Sequence, residues 1–302
     1  MPIRLKPWLA FALIAAAIFA AIAAVDYYRH RFVRSDADLF RFLPQRDATV
    51  FYLNVAALRS AGVLEMLAGN KRIEEAGYRD FIQRTGFDYT KDLDAFTGST
   101  RENETFCLAR GRFAWDKLRA YAGNCTAEIC QMPAASAGRW ISFVELQPDV
   151  LGLAIGADPH AAGSLRTRHS PPRALPAAPV WVSLSPKLLS NAGSLPLASR
   201  LFAISLETAN SVILSLAPNP GSVDAPFKLT LDAQCANAAA ADTIRNQLEL
   251  DTKMLQLGLA RQHIQTSPAD LTGLLTAGSF QVIDSRVVGS WPIRKQLLNT
   301  LQ

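Results

Sequence analysis

Histidine and cysteine are scarce in this chain, four of each in 302 residues. His30, His160, His169 and His263 lie far apart, and Cys107 and Cys235 each stand alone. Structural zinc needs four soft ligands, usually as two Cys/His pairs at short spacing, and no such set is written here. The one close pair, Cys125 and Cys130, has four residues between its members. A thioredoxin-type site needs two, because the resolving thiol must reach the helix N-terminus where the first thiol's pKa is lowered. GxGxxG, a phosphate loop and GxSxG are missing too, which removes the local signatures of a nucleotide enzyme and of a nucleophile elbow. No cofactor is implied. The formal net charge of +5 is scattered along the chain. A phosphate-tracking groove would need Lys and Arg interleaved with exposed aromatics in a stripe, so nucleic acid is not an expected partner.

What is present begins with "WLAFALIAAAIFAAIAAV", an uncharged run of eighteen residues at 8–25. As a helix it would cover about 27 Å at ~1.5 Å per residue, close to the ~30 Å of a bilayer core. Arg4 and Lys6 precede it and Arg29, Arg31 and Arg34 follow it, so the positive-inside rule is nearly balanced. The short N-terminal tail, with no later run apolar enough to span, places the N-terminus inside and the bulk outside the cytoplasm. "AIAA" at Ala21 to Ala24 offers the small residues that a signal peptidase reads. The run is longer than the usual apolar core of a signal peptide, and an uncleaved anchor is the expectation. Anionic headgroups beside such an anchor account for Arg29, Arg31 and Arg34.

That placement bears on the cysteines. Spacing alone leaves Cys125 and Cys130 as a disulfide or as two unrelated thiols, and cysteine use follows the redox compartment. Outside the cytoplasm they become a disulfide candidate closing a tight loop after a helix, a contribution of about 2 kcal/mol by the chain-entropy estimate. Cys107 and Cys235 sit in apolar, strand-like surroundings and are expected as buried small hydrophobes.

The chain divides into a cytoplasmic tail (1–7), a transmembrane anchor (8–25), a membrane-proximal segment (26–46), a first α+β half (47–165), a Pro-rich linker (166–179) and a second α+β half (180–302). In the first half, "ATVFYLNVAAL" is a strand running into a helix, and 71–85 predicts a helix stopped at Gly86. "DLDAFTGST" and "ETFCLARGRF" are paired strands, and "AWDKLRAYA" is a helix. "RWISFVEL" and "DVLGLAIG" form a hairpin, after which Asp158 caps a helix starting at Pro159. "RTRHSPPRALPAAP" breaks all periodicity. Beyond it the order begins again: a strand at "PVWVSLSP" with Ser185 capping the next helix, strands at "SVILSLAP" and "FKLTLDAQC", and a long helix from about Asn237 to His263. That helix has Ile244, Leu248, Leu255 and Leu259 near one face. "SPADLTGLLTAG" predicts a helix with a capping box at Ser267 and Asp270, "SFQVIDSRVVGSW" a strand or bent hairpin, and "PIRKQLLNTL" a closing helix. The second half repeats the first at an offset of about 120 to 130 residues, a structural pseudo-repeat. The expected fold class is α+β: mainly antiparallel sheets with packed helices in two similar halves, preceded by one N-terminal transmembrane helix.

Several local patterns invite a catalytic reading. "DYTKDLD" sets Asp88, Thr90, Asp92 and Asp94 at alternating positions, but the sixth and twelfth positions of a calcium loop are Leu93 and Ser99 rather than Gly and Glu. A solvated turn leading into a strand is the expectation. "FTGST" and "TAGSF" place serine after glycine without GxSxG. Trp115, Trp140, Trp181 and Trp291 fall in apolar, patterned segments where core packing outweighs ligand stacking.

The stretches "RFLPQRDATVFYLNVAALRSAGVLEMLAG", "YRDFIQRTGFDYTKDLDAFTG", "FCLARGRFAWDKLRAYA", "LTAGSF" and "VVGSWPI" resemble a family of uncharacterised bacterial membrane-anchored proteins, over most of residues 40–300. The resemblance implies an N-terminal anchor, a two-part extracytoplasmic α+β body and no assigned catalytic residue. Two classes stay open: a non-catalytic module binding an envelope protein or peptide, and an anchored hydrolase or ligand-binding enzyme with a site assembled only in three dimensions.

Overall fold

The computed structural model describes residues 35–64, 76–168, 170–171, 175–190, 197–264 and 266–300. A short helix α1 (Asp36–Leu39) and a 3-10 turn (Phe40–Phe42) lead to strand β1 (Thr49–Asn54) and helices α2 (Val55–Ser60), α3 (Ala76–Thr85) and α4 (Tyr89–Asp92). The hairpin β2 (Leu93–Arg101) and β3 (Glu104–Gly111) follows, then helix α5 (Trp115–Ala122) and a small hairpin β4 (Asn124–Thr126) and β5 (Ile129–Pro133). The hairpin β6 (Trp140–Gln147) and β7 (Val150–Gly156) and a 3-10 segment (Ala161–Arg166) close the first half. The second half comprises β8 (Val180–Leu184), α6 (Pro186–Ser190), α7 (Leu197–Ser205), β9 (Ser211–Pro218), β10 (Phe227–Gln234) and α8 (Ala238–Arg261). It ends with α9 (Leu271–Thr276), β11 (Ser279–Ile283), β12 (Arg286–Ile293) and α10 (Lys295–Thr300).

The twelve strands of the described residues form one antiparallel sheet in the order β11-β12-β10-β9-β8-β1-β2-β3-β7-β6-β5-β4. Outward from the centre, β1 is followed by β2, β3, β7 and β6, and β8 by β9, β10, β12 and β11. Each side thus has a strand, a hairpin, and a second hairpin laid against the first in reverse, with β4 and β5 added on one side only. Sequence periodicity leads one to expect separate sheets. The structure merges them, because β1 and β8 would otherwise each present a row of unpaired backbone donors and acceptors, and they satisfy each other.

The two faces of the sheet are covered differently. Tyr52 stands opposite Thr97 on one side and Trp181 on the other, so these three share a face. Leu53, opposite Phe96 and Val180, points to the reverse. The Leu53 side carries α2, α3 and α5 in the first half and α6 to α10 in the second, over cores that include Leu118, Cys130 and Phe143 and, in the second half, Phe202, Leu231, Ile244, Leu248 and Trp291. Among the described residues, the Tyr52 side is roofed over the first half by residues 36–43 and the chain after β7. Leu39, Phe40 and Leu43 are fully buried there, and Trp181 stacks on Phe40 and Tyr52 at ring-centroid distances of 5.4 and 5.8 Å. Over the second half the same face shows Ser215, Thr230 and Ser290 side by side, none of them buried.

Residues 36–43, which the sequence places in a membrane-proximal segment with a short helix before Pro44, are therefore also core, since their apolar side chains are what dries the Tyr52 face. The Pro-rich stretch is also more than a spacer. Ser170 donates its backbone N–H to the Arg41 carbonyl at 2.7 Å, and Arg168 lies over the Phe106 ring at 4.6 Å.

Local chemistry accounts for most boundaries. Gly86 closes α3 at φ +74°, its N–H bonded to Ile82 at 2.7 Å, and Ser185 caps α6 through Leu188 N–H at 3.2 Å. Gly98 admits the Phe51 ring, into which a Cβ there would run. Three expectations are corrected. After β7 the helix is a 3-10 segment starting at Ala161, and Asp158 instead holds the His160 N–H in a local turn. Helix α9 starts after Asp270, whose carboxylate caps Gly273 N–H at 2.8 Å, rather than at Pro268. In α8 the buried positions are Ala241, Ile244, Leu248, Asp251 and Thr252, and Leu255 and Leu259 are only half-buried because the helix has by then passed the sheet.

Replacing Phe40 by Ala should cost about 3–5 kcal/mol, the range for truncating a buried aromatic, because it empties the roof over Trp181. Urea unfolding would read this as a lowered midpoint, and an unchanged midpoint would show that residues 36–43 are dispensable to the core.

Candidate functional site

Cys125 and Cys130 are directly opposite each other across β4 and β5 and are bonded, with Cα atoms 4.0 Å apart. The turn between them, Ala127 and Glu128, has φ of +49° and +65°. Neither residue is glycine, so the left-handed region costs each something of the order of 1 kcal/mol, and the covalent bond holds closed a hairpin that is strained at its tip. Cys130 is buried with Leu118 of α5 and Phe143 of β6, so the bond fastens the sheet's β4 edge to its helical cover. Cys107 and Cys235 are free and buried; burial pushes the Cys107 thiol up to about 12.

The acidic string is consumed locally. Asp88 caps α4, accepting from Thr90 N–H at 3.0 Å and its hydroxyl at 2.7 Å. Burial disfavours its charge, yet these bonds with those from Tyr78 and Lys91 outweigh it and hold the carboxyl below its usual range. Asp92 pairs with Arg112 at 3.1 Å and Asp94 with Arg59 at 3.5 Å. Among the described residues no group of three or more His, Cys, Asp or Glu side chains is placed to hold a metal ion. Ser99 is buried, its hydroxyl donating to the Pro44 carbonyl, and Ser279 lies exposed on β11. His160 and His263 are both exposed and neither imidazole meets a serine; His169 and His30 lie outside the described residues.

Sequence reasoning missed a polar cluster that only the fold assembles. Tyr52 donates its hydroxyl to Asp36, and Arg110 pairs with the same carboxylate at 2.5 Å. Burial, then the hydrogen bond to Asp36, pushes the Tyr52 phenol upward. The cluster borders a cavity of about 340 Å³ lined by Asn54, Leu58, Leu175, Pro179 and Pro218. Asp36 is shared between two partners, so the cluster acts as a clasp fixing the start of the body to β1 and β3.

The cavity lies at what we term the basal end of the sheet. There β1 finishes at Asn54, β9 at Pro218 and β12 at Ile293, and β8 and β10 begin. A larger cavity, about 570 Å³, opens at the same end between Gln256, Leu259, Leu274, Pro292, Arg294 and Leu297. It exists because α8, with 24 residues, runs about 36 Å at ~1.5 Å per residue, while the eight-residue strands β10 and β12 reach about 27 Å at ~3.4 Å per residue. Beyond Thr252 no described residue of 253–264 is buried, and none of α9 is. Leu250, Met254 and Leu257, at the i, i+4, i+7 spacing of one helix face, are 49%, 54% and 60% exposed. Ile264 and Leu271 are each 46% exposed. The signal was present in the sequence: α8 is apolar on two faces, and only one can lie on the sheet.

No family model matches the chain, and no curated protein matches it. A solved structure titled "Structure of crystal form I of TP0453" aligns with 89% of this chain and 100% of its own, at 14% identity and a TM-score of 0.42.

Alkylation of native, unreduced protein at pH 8 should label no cysteine, denaturation should expose two thiols, and reduction four. Because Cys107 ionises far more readily unfolded than folded, stability should fall as pH rises above its ordinary value of 9.0. A native thiol count of two at Cys125 and Cys130 would contradict the bond.

Proposed function

We propose that the protein is a membrane-anchored extracytoplasmic binding module without catalytic chemistry, held in a bacterial inner membrane by residues 8–25 with its body in the periplasm. The Cys125–Cys130 disulfide carries the compartment, because such bonds persist where the surroundings are oxidising. Among the described residues no helix is long and apolar enough to cross a membrane; the run at 8–25 lies outside them. The resemblance to uncharacterised membrane-anchored bacterial proteins belongs to the same reading.

The partner is an envelope protein or peptide, and the two ends of the sheet support this unequally. The β4 edge is three residues long and disulfide-bound. The β11 edge, SFQVI, has no Lys, Pro or bulge, and Ile283 on it is 41% exposed. Antiparallel alternation from the Ile283↔Arg286 pair turns the backbone groups of Phe280 and Val282 outward, where an extended peptide adds as a strand. Nucleic acid is not part of the reading. Several basic side chains of the body are taken up by carboxylates, Arg119 by Glu145 at 2.6 Å, Arg166 by Glu128 at 2.7 Å and Lys187 by Glu102 at 2.9 Å, and they form no stripe. An anchored hydrolase or ligand-binding enzyme is the alternative. The cavity beside Asp36 and Tyr52 is the observation in its favour, set against a carboxylate already shared by Tyr52 and Arg110.

Alkaline extraction should leave the protein in the membrane fraction, and protease added to intact spheroplasts should digest the body. Release by alkali, or a body protected until the spheroplasts are lysed, would overturn the placement.

A further inference from the structure

We propose that the basal end of the body seats on an anionic bilayer surface through the C-terminal half of α8 and through α9, a second membrane contact separate from the anchor. The proposal rests on the anchored reading above. Its first support is position. The described chain begins at the basal end, where Asp36 is clasped to Tyr52 and Arg110. Nine residues, 26–34, separate it from the apolar run, a reach of at most ~30 Å when fully extended. The basal end is thus the end that the anchor keeps near the membrane.

The second support is composition. Met254, Leu257, Ile264 and Leu271, with Val223 in the loop after β9, are between 46% and 75% exposed at this end. The sheet does not need them, since burial in α8 stops at Thr252. Around them Lys253, Arg261, Arg294 and Lys295 are exposed and have no carboxylate partner among the described residues. Arg119, Arg166 and Lys187, by contrast, are each held by a carboxylate. The exposed acids at the same end are Asp224 and Asp270 in the second half, the latter engaged as the cap of α9, and Asp116 and Asp149 beside the β6–β7 turn in the first half, away from α8 and α9. An apolar ridge ringed by unpaired bases is the chemistry of a helix lying in a headgroup layer, its side chains entering the acyl boundary and its cations meeting anionic lipid.

The test uses the full chain reconstituted in phosphatidylglycerol/phosphatidylethanolamine vesicles, with an environment-sensitive fluorophore on Leu257→Cys or, as control, Asn103→Cys in the β2–β3 turn at the opposite end. Cys107 and Cys235 are buried and Cys125 and Cys130 bonded, so the added thiol takes the label. The Leu257→Cys label should be blue-shifted and quenched by nitroxide lipids. Both effects should shrink in phosphatidylcholine vesicles, at high salt and in a Met254→Asp background, while the Asn103→Cys label stays water-like. Co-flotation with a water-exposed Leu257→Cys label would overturn the seating and leave the anchor standing. A blue shift without lipid quenching would mean that a second copy covers the ridge, and would overturn it too. Loss of co-flotation would remove the anchor and this proposal together.

Discussion

Four residue pairs, from Val50↔Ser183 to Leu53↔Val180, join β1 to β8, and the rest of the architecture depends on them. Each strand is the inner edge of its half, and an unpaired inner edge would leave backbone groups in the middle of the protein with neither water nor a partner. The seam is closed on both faces. On one, Phe40 and Tyr52 stack with Trp181. On the other, Leu53, Val180 and Leu216 pack with Leu58, Val63, Phe227 and Leu298, so that α2 of the first half and α10 of the second meet over the join. Each half thus contributes side chains to the other's core.

This arrangement makes the two outer edges of the sheet the places where the halves differ. One ends in a short strand pair tied by Cys125–Cys130 against α5, and the other in β11, which pairs with β12 alone among the described strands. The faces differ as well, since the first half is roofed by residues 36–43 and by the chain after β7, while on the second half Ser215, Thr230 and Ser290 are only half-buried. The two halves thus repeat a strand order while differing at their outer edges and in the cover of one face.

The hairpins β2–β3 and β6–β7 were legible in the sequence because their signals are local: alternating apolar residues, β-branched content and polar turns. Cys125–Cys130 was legible too, once the apolar run at 8–25 had suggested an oxidising compartment. The seam was not, since nothing near Val50 or Val182 names a partner about 130 positions away. Residues 36–43 read as part of a membrane-proximal segment, since eight residues are too few to show which face is buried, yet Leu39, Phe40 and Leu43 are all completely buried. The Asp36–Tyr52–Arg110 clasp joins positions 16 to 74 residues apart in sequence and exists only after the sheet forms. In α8 the apolar spacing was read correctly as helical. The face was not fully assigned, because helix length against strand length decides which turns outrun the sheet.

The β1–β8 seam should make both halves a single cooperative unit. Hydrogen exchange of the full chain through a urea series, followed separately at the amides of β7 and β10, addresses it most directly. Both strands should lose protection in the same transition with the same midpoint. Loss of protection in one half, at urea concentrations where the other stays fully protected, would contradict it.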